Sequence, residues 1–133
     1  MTFEIIQPDG MPAPSGFSYA VAASGRNMLF IAGQTAQDSS GNIVGSRDIV
    51  HQFECALDNV LRVLHAGGGQ PDHIAKMTIF VTDVAAYRES LRPIGKIYRQ
   101  HFGNHYPAMT LVEVHKLFDK EAMIEIEAIA VIP

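Results

Sequence analysis

The sequence predicts an α+β fold, and three observations carry that reading. Short apolar runs of β character, cut by proline, glycine and asparagine, fill the first third and the end of the chain. Between them lies one long apolar stripe at helical spacing. A second helical stretch, interrupted by Pro93, precedes the last strands. The predicted order is β-β-β-α-β-α-β-β in a single domain over residues 1–133.

Thr2 to Gln7 reads as a strand ended by Pro8-Asp9-Gly10, and Pro12 and Pro14 keep the next stretch irregular. Tyr19 to Ser24 and Met28 to Gln34 flank Ser24-Gly25-Arg26-Asn27, which reads as a hairpin. From about Arg47 to Ala66, Ile49, Phe53, Leu57, Val60 and Leu64 make one helical stripe. Ser46 is placed to cap this helix, and Asp48 complements its positive end. Gly67-Gly68-Gly69 stops it. Ile74 to Val81 is the next strand. Val84 to Phe102 is helical, with Tyr87, Leu91, Ile94 and Tyr98 as its buried stripe. Pro93 implies a short turn first, with the main helix starting near Arg92. Ala108 to Val114 and Ala122 to Val131 complete the strands.

Two helices can cover only one face of a six-stranded sheet. The last strand is nevertheless apolar on both faces, with Ile124, Ile126, Ala128 and Ala130 on one and Met123, Ile129 and Val131 on the other. A wetted face should read polar, so the mixed face predicts burial against another copy of the chain. A homo-oligomer is expected.

Composition narrows the function classes. The chain is 47% hydrophobic and 18% charged, which excludes a disordered polymer. Ten Lys and Arg against 14 Asp and Glu give a net charge of −4, which argues against nucleic acid as the partner. Cys55 is the sole cysteine, so no intrachain disulfide can form. The start, from Met1, lacks the basic and apolar regions of a signal peptide. No apolar run reaches the roughly 20 residues of a membrane span. A cytoplasmic protein with no membrane partner is expected.

Few residues announce chemistry. Glu125 and Glu127 share the mixed face of the last strand, where a buried carboxylate could act as general acid or base. Access to solvent, or pairing with cations at a subunit interface, explains the same two residues. Six histidines raise a metal site, but Gly103-Asn104 separates His101 from His105 and no second cysteine exists. No metal and no cofactor is assigned. Arg88, Arg92, Lys96 and Arg99 form a cationic stripe that could be an anion or RNA patch, but it is read as a solvated face bordering an apolar one. The triple glycine follows a helix and cannot cradle phosphate from its N-terminus. Cys55 reads as a packed thiol.

Several segments together resemble the Rid/YjgF family of small enamine/imine deaminases. They are Phe17-Ser-Tyr-Ala-Val21, Ala32-Gly-Gln34, Leu57-Asp-Asn-Val60, Thr78-Ile-Phe-Val-Thr-Asp83, Tyr98 to Phe102, Pro107-Ala-Met-Thr110 and Ile124-Glu-Ile-Glu-Ala-Ile-Ala130. They run in order over nearly the whole chain. The resemblance implies a chorismate-mutase-like fold, with a six-stranded mixed sheet and two helices on one face. It also implies a homotrimer with small-molecule clefts between subunits.

The resemblance carries site residues over in part. Gly33 matches the glycine that offers backbone groups, and Glu125 matches the glutamate that orients water. The arginine of a Pro-Ala-Arg-Ser motif, which clamps the substrate carboxylate, is here Met109. The tyrosine of a Gly-Pro-Tyr motif is Phe17, and an asparagine three residues before the helix tyrosine is Gly95. Tyr19 or Tyr106 is placed to supply a replacement hydroxyl. Methionine offers a carboxylate none of the arginine's bonds, each worth roughly 1.5–3 kcal/mol. The expectation is a candidate hydrolase acting on a small imine, enamine or related metabolite through Glu125. Its cleft is expected to be negative, to suit a neutral or cationic ligand, and to be poor at the usual 2-aminoacrylate deamination. The alternatives are a non-catalytic ligand-binding or regulatory protein and, more weakly, an endoribonuclease or translation inhibitor.

Overall fold

The computed structural model describes residues 2–133, and Met1 of the opening segment lies outside them. Six strands form, but they divide between two sheets. β1 (Thr2–Ile6) pairs antiparallel with β2 (Ala20–Ser24). β3 (Asn27–Gln34), β4 (Ile74–Val81), β5 (Ala108–Glu113) and β6 (Ile124–Ile132) form a second sheet in the order β3-β6-β4-β5. That sheet is mixed, because β4 and β5 run parallel while β6 is antiparallel to both its neighbours. An isolated bridge between Ser18 and Ala108 ties the lead into β2 to β5. The expected single six-stranded sheet is thus corrected to two plus four.

The expected hairpin fails for a geometric reason. A two-residue turn of the favoured kind needs positive φ at its centre, and neither Gly25 nor Arg26 has it. Instead the Arg26 amide donates to the Ile132 carbonyl at 2.9 Å. A Cβ on Gly25 would stand 2.7 Å from that carbonyl oxygen. The segment therefore crosses the end of β6, covers Val131, and delivers β3 to β6 rather than to β2.

Helix α1 (Ile49–Ala66) starts two residues later than the sequence predicts. Arg47 has φ 59°, outside helical space, so the cap moves from Ser46 to Asp48. The Asp48 carboxylate accepts from the His51 amide at 3.1 Å. The predicted stripe of Ile49, Phe53, Leu57, Val60 and Leu64 is buried in full. Each such side chain contributes roughly 1.5–3 kcal/mol by leaving water. At the other end Gly69 donates to Leu64 and Gly68 to His65, with Gly68 at φ 87°. That is the Schellman termination, with glycine at the one left-handed position.

The second helical stretch is two helices, α2 (Val84–Glu89) and α3 (Leu91–Phe102), making three where two were expected. Pro93 falls in the first turn of α3, where its missing N–H breaks no helical bond. Ile94, Tyr98 and Phe102 are buried, Tyr87 is half-buried, and Leu91 is 53% exposed. Leu91 is therefore not part of the core stripe.

Buried Gln52 locks this layer to the sheet. Its amide donates to the Gly45 and Glu121 carbonyls, and its carbonyl accepts from Met123 N at 2.7 Å just before β6. The helices pack on the sheet face made by Ile31, Met77, Ile79, Ile124, Ile126 and Ala128. The opposite face carries Met28 and Phe30, 60% and 69% exposed, with half-buried Ile129 and Phe80. Glu125 and Glu127 lie on that same open face. Among the described residues no helix is long and apolar enough to cross a membrane.

Candidate functional site

Ser18 places the first wall of the site. It is buried, its amide donates to the Pro107 carbonyl at 3.0 Å, and its hydroxyl donates to the Tyr106 carbonyl. Phe17 is thereby held beside the start of β5, which carries Met109. Gly16, at φ 77°, supplies the turn that precedes it. Opposite them α3 presents Gly95 and Tyr98, and together these residues line a cavity of about 450 Å³. Three of the residues carried over by resemblance, Phe17, Gly95 and Met109, thus meet in one space.

Aromatic packing makes the floor rigid. Tyr98 stacks on Phe102 at 4.4 Å and on Tyr106 at 5.2 Å, and donates its hydroxyl to the His105 carbonyl at 2.7 Å. Burial, with Tyr106 and Tyr87 adding to it, pushes the Tyr98 hydroxyl far above the ordinary tyrosine range. It is a fixed neutral donor. Tyr106 lines the cavity, whereas Tyr19 stands behind Phe17 at 5.2 Å and spends its hydroxyl on the Pro12 carbonyl at 2.8 Å.

Gly33 and Glu125 form a separate group. Between Ile31 and Gln34, β3 uses one more residue than β6, a bulge that leaves Ala32 and Gly33 outside the paired register. The Glu125 side chain lies directly over Gly33. A Cβ there would collide with the carboxylate and stand 2.7 Å from its carbon. Glu125 pairs with Phe80 on the open face, while Met77, three residues earlier on β4, pairs with Met109 on the helix face. Within one chain the carboxylate and the cavity are therefore on opposite sides of the sheet. Among the described residues no Asp, Glu or His lines the cavity, and Arg99 does, so one chain alone brings no negative charge to it.

The remaining candidates have structural partners. His101 lies 3.6 Å from Asp58, His105 bonds the Ile74 carbonyl at 2.8 Å, and His73 accepts from Gln70 N. Among the described residues no group of three or more His, Cys, Asp or Glu is placed to hold a metal ion. Burial, then Asp58 and Glu54, raises the Cys55 thiol, so it stays protonated. Glu127 is exposed beside Thr78. A larger hollow of about 640 Å³, lined by Arg47, Lys116, Lys120 and Glu121, contains none of the residues carried over by resemblance.

Comparison with known proteins now bears on these groups. Residues 10–132 match the family model described as Endoribonuclease L-PSP, which includes the YjgF and RidA proteins. The chain belongs to the Rid/YjgF family. A RutC family protein of Pyrococcus horikoshii is 34% identical over 127 residues, covering 96% of each chain. TdcF of Escherichia coli K12, a candidate reactive intermediate deaminase by name, is 33% identical over 132 residues and 96% of each chain. The crystal structure of YyfB from Yersinia pestis, a Rid protein of unknown function, superposes with a TM-score of 0.87 at 32% identity. That alignment covers 99% of this chain and 100% of the other.

This Rid-family chain also holds a residue that sequence reasoning set aside. Arg99 reads from its stripe as a solvated cation and is indeed exposed, and it also lines the rim of the cavity. The available signal was Gly95 four residues earlier, on the same helical face.

Proposed function

We propose that this Rid-family protein is a homotrimer whose intersubunit clefts hydrolyse a small imine or enamine. In that arrangement the Phe17, Gly95 and Met109 cavity of one subunit is completed by Gly33 and Glu125 of a neighbour. The observation that carries the reading is the Glu125 carboxylate seated over unpaired Gly33 on an uncovered, partly apolar sheet face. Glu125 takes a proton from water as the water oxygen adds to the C=N carbon and returns that proton to the nitrogen; transfer of the carbinolamine's hydroxyl proton to the nitrogen by the same route then releases ammonia and leaves a carbonyl. An enamine first tautomerises to the imine. Met109 can give a carboxylate no hydrogen bond, so 2-aminoacrylate is turned over slowly.

Incubation with freshly generated imines, following ammonia release, tests this. Glu125→Gln should lower turnover by at least about a hundredfold, within the 10²–10⁴ range of a general base. Turnover equal to the parent's would remove Glu125 from the mechanism. A second reading, ligand binding without catalysis, draws on the lack, among the described residues, of any carboxylate or histidine lining the cavity of a single chain. Thermal stabilisation by ligands that are never consumed would favour it.

A further inference from the structure

We propose that the hollow between the β5–β6 loop and the segment leading into α1 binds a small ligand carrying several phosphate groups. This is a second site, and it does not depend on the cleft described above.

The hollow hangs on a buried polar residue. Gln52, with no exposed surface, donates to the Gly45 carbonyl at 3.2 Å and to the Glu121 carbonyl at 3.0 Å. It also accepts from the Met123 amide at 2.7 Å. The segment that carries Arg47 and the loop that carries Lys116 and Lys120 are thus fixed to one side chain of α1. The start of that loop is held as well, by the Val114 amide donating to the Val81 carbonyl at 2.8 Å. Arg47 stands at φ 59°, the one positive value among the described residues other than glycine. A side chain there costs roughly 1–2 kcal/mol that glycine would not. Arginine holds the position nonetheless, and it lines the hollow.

The charge collected is positive on an acidic chain. Arg47, Lys116 and Lys120, three of the ten Lys and Arg, line this one space of about 640 Å³. Glu121 is the one acid among the described lining residues, so three cations against one carboxylate leave a formal +2. Among the described residues none of these four side chains forms an ion pair; both ion pairs found use histidine. Asp48, next to Arg47, spends its carboxylate on the His51 amide and does not line the hollow. A concave surface of one sign focuses its field on an anion. All three cations are exposed, so salt screens each of them and a single negative charge gains little. A chain of phosphates engages all three at once, with the arginine fork matched to phosphate oxygens and the lysines acting as point charges.

Inorganic tripolyphosphate and orthophosphate are suitable probes by calorimetry. The parent should bind tripolyphosphate at least about tenfold more tightly than orthophosphate. The variant Arg47→Gly, Lys116→Gln, Lys120→Gln should lose at least about tenfold in tripolyphosphate affinity. Arg88→Gln, Arg92→Gln, Lys96→Gln removes the same charge from residues that line neither cavity, and should bind as the parent does. Arg47→Gly alone should weaken binding while raising Tm, because glycine relieves the left-handed backbone. No tripolyphosphate binding at millimolar concentration, equal affinity for the two probes, or an equal loss in both triple variants would each overturn the proposal. None of these readouts involves a C=N bond, so failure of imine hydrolysis would leave this site standing.

Discussion

Tyr87 shows how the residue scale registers the packing around the site. Burial pushes its hydroxyl from 10.0 up to about 12. The folded state therefore holds the proton more tightly than the unfolded chain does. The stabilisation from keeping Tyr87 neutral is complete below pH 10 and is lost as pH rises through about 12. Thermal melts between pH 9 and 12 should show a steep fall in Tm that is shallower in Tyr87→Phe. An identical slope in the variant would show that Tyr87 does not titrate across unfolding. At this scale the sequence was informative where a motif named the position. Phe17, Gly95 and Met109 were legible through the family pattern, and they converge. Arg99 was not singled out among four cations at helical spacing, although Gly95 four residues earlier was there in the sequence to mark it.

Elements were legible where their causes are local. The α1 stripe, the β4 bounds and the break before Pro93 all follow from spacing within one stretch of chain. Partner choice is not local, and that is why the hairpin failed. Nothing within Ser24 to Asn27 reveals that the Ile132 carbonyl, far along the chain, will accept from Arg26. The triple glycine was legible as a stop, but only the structure shows which glycine carries it. Gly68 sits at φ 87° while Gly67 sits at φ −83°, so the two are not equivalent. Gly68→Ala should destabilise the fold by about 1–2 kcal/mol, the cost of forcing a Cβ into left-handed backbone. Gly67→Ala must instead displace the Leu29 side chain, since its Cβ would stand 2.6 Å from that residue's Cδ2. Urea titration of Gly68→Ala measures the effect, and an unchanged midpoint would contradict the assignment of the cap.

At the scale of the whole molecule, the open sheet face is the feature that a single chain leaves unresolved. Met28 and Phe30 are each more than half exposed beside Ile129, and Glu125 shares their face. If the proposed trimer forms through this face, Phe30→Asp should shift sedimentation toward the monomer and lose the proposed imine turnover with it, because that cleft needs two subunits. A variant that remains trimeric would show that Phe30 lies outside the interface. The mixed character of this face was legible in the sequence, whereas the division into two sheets was not, since it depends on how β1 and β2 are carried away from β3. One consequence concerns insertions and deletions. β6 alternates strictly, with Ile124, Ile126 and Ala128 toward the helices and Glu125 and Glu127 away from them. Its neighbours each absorb an extra residue, β3 between Ile31 and Gln34 and β4 between Ile74 and Lys76. β6 contains no such slack, so one inserted residue would exchange its faces from that point onward. Carboxylates would be driven among Phe53 and Leu57 while isoleucines were pushed outward. The length of β6 is thus tied to both the core and the chemistry, and neither can drift without the other.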